Sequence, residues 1–184
     1  MKNLIWFRND LRVADNPALV SACEGEQVIA VYCFDPRQFQ IGNFGFKKTE
    51  KYRAKFLIES VEALKTSLEQ LNISLLVYHE KPEDIIPDIV KSHGIRNIFL
   101  QNEWTRDETK VLDAVIAAVP ALTNFESHYG QFLFHPEDIP FSTAHDIPQI
   151  FTQFRKKCEK YTKIKSIMPI PDAMPKSNLL GKEG

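Results

Sequence analysis

The feature that most constrains this chain is an alternation. Short β-branched and aromatic runs recur at intervals of about 25 to 45 residues, and a longer helical pattern lies between successive runs. The runs are Asn3 to Phe7, Val28 to Phe34, Ser74 to Tyr78, Asn97 to Leu100 and, more weakly, Thr123 to His128. The first four are nearly unbroken apolar segments, as strands covered on both faces require. Strand, crossover and strand is the connectivity of a parallel sheet, and the fixed hand of such crossovers leaves few strand orders open. The expected fold is α/β: a Rossmann-like open five-stranded parallel sheet of order 3-2-1-4-5 with helices on both faces.

The clearest helix spans about Thr49 to Leu71, where Leu57, Val61, Leu64, Leu68 and Leu71 repeat at helical spacing. A coiled-coil seam repeats similarly, but this stripe is short and flanked by strands, so it is expected to pack on the sheet. A second helix, Pro82 to His93, opens on a proline and stops at Gly94. Thr105-Arg106-Asp107-Glu108 is a cap-like opening to a third, which carries Val111, Val115 and Val119. A last helix is expected from about Ile147 to Tyr161. Pro169, Pro171 and Pro175 follow among small and polar residues, and Ser177 to Gly184 shows no periodicity, the pattern of a linker or a frayed end. A length of 184 residues holds one domain and a short appendage. The division expected is an α/β domain over residues 1–165 and a linker over 166–184.

Lys and Arg total 23 against 24 for Asp and Glu, so the net charge is -1 and any affinity for nucleic acid must be local. The one such patch is Arg155-Lys156-Lys157 with Lys160 and Lys163, expected as a solvated helix face or a contact to another domain rather than a track for DNA phosphates. No stretch approaches the roughly 18 apolar residues of a membrane span. The opening Met1 to Arg8 is too short and too soon charged for a signal peptide. Cys23, Cys33 and Cys158 are odd in number and form no C-x-x-C. These features predict a cytoplasmic location and no membrane partner.

In an open parallel sheet ligands bind beyond the carboxyl ends of the strands. Those ends are followed here by Arg8 to Arg12, Asp35, His79-Glu80, Gln101-Asn102-Glu103 and His128-Tyr129. Order 3-2-1-4-5 makes the Arg8 to Arg12 loop and the Asn102-Glu103 loop neighbours. The plain alternative is that loops are polar because they meet water, with Asp10 and Arg12 only capping and pairing. No dinucleotide-type or Walker-type glycine loop follows the first strand, so a stand-alone nucleotide-binding protein lacks its phosphate cradle. Gly42-Asn43-Phe44-Gly45 signifies only a flexible loop. The five histidines lie on different segments with no metal-ligand spacing, and no G-x-S-x-G elbow is present. From these residues the reading is a nucleotide-type α/β domain with a polar crevice.

Trp6-Phe7-Arg8-Asn9-Asp10-Leu11-Arg12, followed by Asp15-Asn16-Pro17-Ala18-Leu19, resembles the opening motif of the photolyase and cryptochrome family. Three later segments agree in order and spacing: Tyr52 to Val61, Phe134 to Phe141 and Phe151 to Lys157. They are most similar to DASH-type cryptochromes, and the resemblance extends over roughly residues 1–175. It implies a division of labour. The N-terminal α/β domain carries a light-harvesting antenna, commonly methenyltetrahydrofolate, and a larger C-terminal helical domain, beyond this chain, holds FAD and the DNA lesion. The full-length protein would be a photolyase that splits cyclobutane pyrimidine dimers in single-stranded DNA, with this portion alone inactive. The alternative on the same fold is a blue-light signalling cryptochrome without repair.

Asn102-Glu103-Trp104-Thr105-Arg106-Asp107 matches the family segment whose Asn and Glu contact the pterin ring of the folate. A carboxylate accepts two hydrogen bonds from an amino-pyrimidinone edge, and an amide completes that edge. The plain alternative is a strand-end loop with a helix cap. Phe44, Phe46 and Lys47 correspond to another wall of the antenna site, where aromatic faces cover a flat ring. Trp6, Phe7 and Leu11 are expected in the core. The partner implied is the chain's own helical domain, with DNA reached through the full-length protein and self-association through the uncovered domain face.

Overall fold

Successive side chains of a strand point to opposite faces, and the first two strands bury both sets. The computed structural model describes residues 1–42 and 45–181. Its sheet consists of β1 (Lys2–Phe7), β2 (Gln27–Cys33), β3 (Ser74–Tyr78), β4 (Asn97–Gln101) and β5 (Asn124–His128), all parallel, in the order β3-β2-β1-β4-β5. Ile5, Phe7, Ala30 and Tyr32 face one hydrophobic layer, and Leu4, Trp6, Ile29 and Val31 face the other. The expected sheet and strand order are those observed. Trp6 and Phe7 are core residues as expected, while Leu11 is only partly buried against the core.

The first layer is covered by α1 (Pro17–Ala22) and α2 (Lys51–Gln70), the second by α3 (Pro82–His93) and α4 (Arg106–Ala118). On α2, Val61, Leu64 and Leu68 are buried, so the leucine stripe packs on the sheet. Gly94 ends α3 at φ 66, a left-handed position that glycine occupies without strain. The helix expected between the first two strands is the short α1, with Asn16 as N-cap and Pro17 in the first turn as its standard start signals. At α4 the cap-like opening does not close: Thr105 is the N-cap residue but makes no side-chain cap hydrogen bond. Asp107 and Glu108 in the first turn favour the helix dipole instead. The last helix, α5 (Phe151–Tyr161), starts later than expected, with extended Ile150 as its N-cap residue, and a separate turn of 3-10 helix at Ala144–Asp146 precedes it.

The stretch after α5 is neither frayed nor free through residue 180. Asp15 and Met168 exchange two hydrogen bonds: Asp15 N–H donates to the Met168 carbonyl at 3.2 Å, and Met168 N–H to Asp15 Oδ1 at 3.0 Å. Met174 enters the first hydrophobic layer, and Asn178 and Leu180 are hydrogen-bonded at the start of β2 and β3. Periodicity is silent about such a strap, because its anchors are isolated side chains rather than a repeating face.

Candidate functional site

The loop leaving β1 spends most of its polarity on the fold itself. Arg8 N–H donates to Asp10 Oδ1 at 2.9 Å, and Asn16 Nδ2 donates to Asp10 Oδ2 at 3.2 Å and to the Arg12 carbonyl at 3.0 Å. Asn16 Oδ1 accepts Leu19 N–H at 3.0 Å, capping α1. Arg12 Nη2 donates to the Asp15 carbonyl at 2.9 Å and to the Gly130 carbonyl at 2.8 Å, tying this loop to the chain that leaves β5. Burial pushes the Asp10 carboxyl above the usual carboxylate range, against the hydrogen bonds from Arg8 N–H and Asn16. Asp10 and Arg12 therefore serve the fold, Asp10 as an acceptor within its own loop and Arg12 as a donor to two backbone carbonyls.

Across the crevice the two loops meet as strand order demands. Asn9 Nδ2 donates to Glu103 Oε1 at 2.8 Å, and Gln101 Nε2 donates to the same oxygen at 3.2 Å. Glu103 is only 8% exposed, so its carboxylate is held in place by these two amides. Among the described residues both donors fall on Oε1, leaving Oε2 to accept from an N–H-bearing group. Oε2 can thus meet one N–H of an amino-pyrimidinone edge, while the oxygen that would take the second is already engaged by the two amides. Asn102 N–H donates to the His128 carbonyl at 2.7 Å, and the Asn102 carbonyl accepts Gln131 Nε2 at 3.2 Å, while the Asn102 side chain is half-buried.

The other candidates lie on the β2–α2 connection. Phe46 is exposed, Lys47 lies 4.0 Å from Glu50, and Phe44 falls outside the described residues. Lys48 forms an ion pair with Asp107 in the first turn of α4, which draws this connection up to the segment that begins with Asn102 and Glu103.

An open cavity of about 590 Å³ sits beside these loops, floored by the ends of β1 and β2 (Trp6, Phe7, Tyr32 and Cys33). Arg8, Asn9, Arg37, Arg53 and Glu108 contribute its polar walls. Asn102, Glu103, Phe46 and Lys47 are not among its lining residues. Asn9 joins the two places, since it lines the cavity and is bonded to Glu103. Arg8 Nη2 donates to the Glu108 carbonyl at 2.8 Å, and its guanidinium carbon lies 5.0 Å over the Trp6 ring. Among the described residues, Arg8 Nη1 and Glu108 Oε2 are buried without a hydrogen-bond partner. Burial pulls the Arg8 pKa down, opposed by Glu103, Glu108 and Asp10. Arg37 is clamped between Asp35 and Glu83, at 2.6 and 2.8 Å. Burial, with Asp35 and Glu83 adding to it, pushes the Cys33 thiol up to about 12, so it offers no nucleophile to the cavity.

Beside Glu103, on the β5 side, Trp104 stacks on Phe132 with ring centroids 4.3 Å apart and planes at 14°. Tyr129 lies 5.3 Å from Trp104 and meets His135 edge-on. Asn9 and Tyr129 lie in strand-end loops named from the sequence, but nothing in the sequence singles out Asn9 or the grouping of Trp104, Tyr129, Phe132 and His135. The cluster's members come from two non-periodic segments, and only the β4–β5 pairing brings them together.

The family model described as DNA photolyase matches residues 3–176. A cryptochrome DASH of Gloeobacter violaceus is 43% identical over 174 residues, 94% of this chain and 35% of that protein. The crystal structure of the Synechocystis sp. PCC6803 cryptochrome superposes with a TM-score of 0.90 at 37% identity, covering 99% of this chain and 38% of that one. An archaeal photolyase from Sulfolobus tokodaii, solved with two FAD molecules and described as implying a novel light-harvesting cofactor, shares the fold with a TM-score of 0.77 at 22% identity, over 94% of this chain and 38% of its own. The chain spans about a third of the length of the relatives it matches. On its residues, its strand order and these matches, the chain belongs to the DNA photolyase family, with DASH cryptochromes among its relatives.

Proposed function

We propose that this chain is the antenna-chromophore-binding domain of a DASH-type protein whose full-length form uses light and FAD to repair cyclobutane pyrimidine dimers in single-stranded DNA. The observation that carries the reading is Glu103, a nearly buried carboxylate at the carboxyl edge of the sheet, preorganised by Asn9 and Gln101 with one oxygen left to accept. Burial strengthens a hydrogen bond to a charged acceptor and makes an unmatched ligand costly. A bound methenyltetrahydrofolate would supply near-ultraviolet absorption. Glu103 would accept from its pterin edge, Asn102 would complete that edge, and Phe44, Phe46 and Lys47 would close the other side. FAD and DNA belong to the helical domain in this reading, and the solvated basic face of α5 contacts that domain.

The test is a titration of this chain with methenyltetrahydrofolate, followed by absorbance. Part of the contact surface belongs to the helical domain in this reading, so weak binding is expected. Glu103→Gln removes the charged acceptor, worth about 1.5–3 kcal/mol, and should weaken binding by roughly 10- to 150-fold. Unchanged affinity in that variant would remove Glu103 from the site.

The cavity favours a second reading, in which the antenna is a larger flat ring system inserted over β1 and β2. A volume of about 590 Å³ lies in the range of small-molecule sites. Arg8 Nη1 and Glu108 Oε2, a donor and an acceptor buried in two of its lining residues, would meet a heterocycle carrying both complements only by turning toward the cavity. A flavin is such a ring, and the archaeal photolyase with two FAD molecules lends support to this class of ligand. Riboflavin binding that is lost in Arg8→Met and kept in Glu103→Gln would favour this reading over the folate one.

A further inference from the structure

This inference rests on the reading that Glu103 holds the pterin edge of a folate. We propose that Trp104 forms the other half of that site, a stacking surface for the p-aminobenzoyl ring, and so makes the site select a folate over a bare pterin.

The chain has two tryptophans with opposite surroundings. Trp6 is 2% exposed and belongs to the core, whereas Trp104 is 45% exposed at the carboxyl edge of the sheet. Phe132, stacked on Trp104 at 4.3 Å and 14°, occupies one face of the indole. Tyr129 lies 5.3 Å away in a tilted contact, and His135 braces Tyr129 from its edge. The indole is thereby fixed in orientation while nearly half its surface is left to solvent. An aromatic ring ordered in this way has paid its entropy cost in advance, and offset stacking is the contact it offers to another flat ring.

Glu103 and Trp104 are adjacent in sequence but diverge in space. Glu103 turns toward β1, to Asn9, and Trp104 turns toward β5, to Tyr129 and Phe132. The recognition of a ring by Glu103 and the stacking of a ring on Trp104 are then tasks for two parts of one ligand. A folate carries two flat units on a short link, an amino-pyrimidinone for a carboxylate and a benzamide for an aromatic face. The pair of side chains therefore matches a two-ring ligand better than a one-ring ligand. If the cluster only seals the end of β5, Trp104 will affect stability and not ligand choice.

The experiment compares wild type, Trp104→Ala, Trp104→Phe and Glu103→Gln, each checked for the wild-type circular dichroism spectrum. Each is titrated calorimetrically with methenyltetrahydrofolate and with a methylpterin that lacks the p-aminobenzoyl arm. Trp104→Ala should lower folate affinity by about three- to ten-fold and leave methylpterin affinity unchanged. Trp104→Phe should keep most of the folate preference, and Glu103→Gln should weaken both ligands. An unchanged ratio of folate to methylpterin affinity in Trp104→Ala overturns the role of Trp104. Loss of that ratio in Trp104→Ala, together with no effect of Glu103→Gln, upholds Trp104 and removes Glu103. Failure of wild type to bind either ligand overturns both.

Discussion

At the scale of single residues, the family motif around Arg8 to Asn16 divides into parts that build and parts that face the crevice. Arg12 is a builder: its guanidinium joins the carbonyls of Asp15 and Gly130, which are far apart in sequence. Hydrogen bonds from a charged donor contribute about 1.5–3 kcal/mol, so Arg12→Ala should lower the urea unfolding free energy by that amount and leave ligand binding at Glu103 largely intact. Asp10 gives a pH prediction. Its native pKa is raised by burial above the ordinary 3.8, so the folded state keeps the proton to higher pH than the unfolded chain. The native state then binds more protons than the unfolded state in the window upward from about 3.8, and stability falls as pH rises through it. Urea midpoints measured across that window should fall less steeply in Asp10→Asn than in wild type, and identical slopes would show that Asp10 titrates as it does when unfolded. At this scale the sequence revealed that these residues matter but not which use each has. Asp10 and Glu103 are both acidic loop residues, and only their partners, Arg8 N–H and Asn16 for one, Asn9 and Gln101 for the other, separate a structural knot from a preorganised acceptor.

At the scale of elements, strands and helices follow directly from apolar runs and stripes, whereas the stitching at the amino edge of the sheet does not. Asn3, Asn97 and Asn124 stand in register on β1, β4 and β5 and pass side-chain hydrogen bonds across, Asn124 to Asn97 at 3.1 Å and Asn97 to Asn3 at 2.9 Å. Asn3 Nδ2 then donates to the Ala22 carbonyl at 2.9 Å. A Cβ on Gly25 would come within 2.4 Å of that amide, so any side chain there must displace Asn3 from the Ala22 carbonyl. The C-terminal strap completes the edge. Asn178 Oδ1 accepts Val28 N–H at 2.8 Å, and its Nδ2 donates to the Val28 and Asn72 carbonyls at 3.0 and 2.8 Å. One carboxamide thus serves β2 as a neighbouring strand would, just before β3 begins. Asn178→Ala leaves two buried backbone groups of Val28 unmatched and should cost about 1–3 kcal/mol, with faster hydrogen exchange at the Val28 amide. Asn178→Asp keeps the acceptor but sets a carboxylate against two carbonyls, and should cost more. Wild-type stability in both variants would make the strap ornamental. Lone asparagines carry no period, which is why the stretch read as a linker conceals these anchors.

At the scale of the whole molecule, the two hydrophobic layers are completed from within, by α1 and α2 on one side and α3 and α4 on the other. Such a sheet meets the requirement for an independent core, and the chain should unfold in a single cooperative transition. Part of the apolar surface that is left over is concentrated in sequence. Leu133, Ile150, Phe151, Tyr161, Ile164 and Ile167 are all exposed and come from one stretch of about 35 residues. A surface of that kind is the face the helical domain would cover in the proposed full-length protein. Self-association at high concentration is therefore expected and should be visible by sedimentation velocity; Ile150→Lys with Ile167→Lys should suppress it without moving the unfolding midpoint. Function should divide along the same boundary. Electron transfer is the flavin's chemistry, and the protein's part is to bind and orient it. In the proposed folate reading, with flavin and lesion both in the helical domain, this chain should take up no stoichiometric FAD and restore no thymines. The check is to add FAD, remove the excess, record the visible spectrum, and illuminate the chain with dimer-containing single-stranded DNA under reducing conditions. Restored thymines would place the catalytic flavin site within these 184 residues and overturn the division of labour on which the antenna assignment depends.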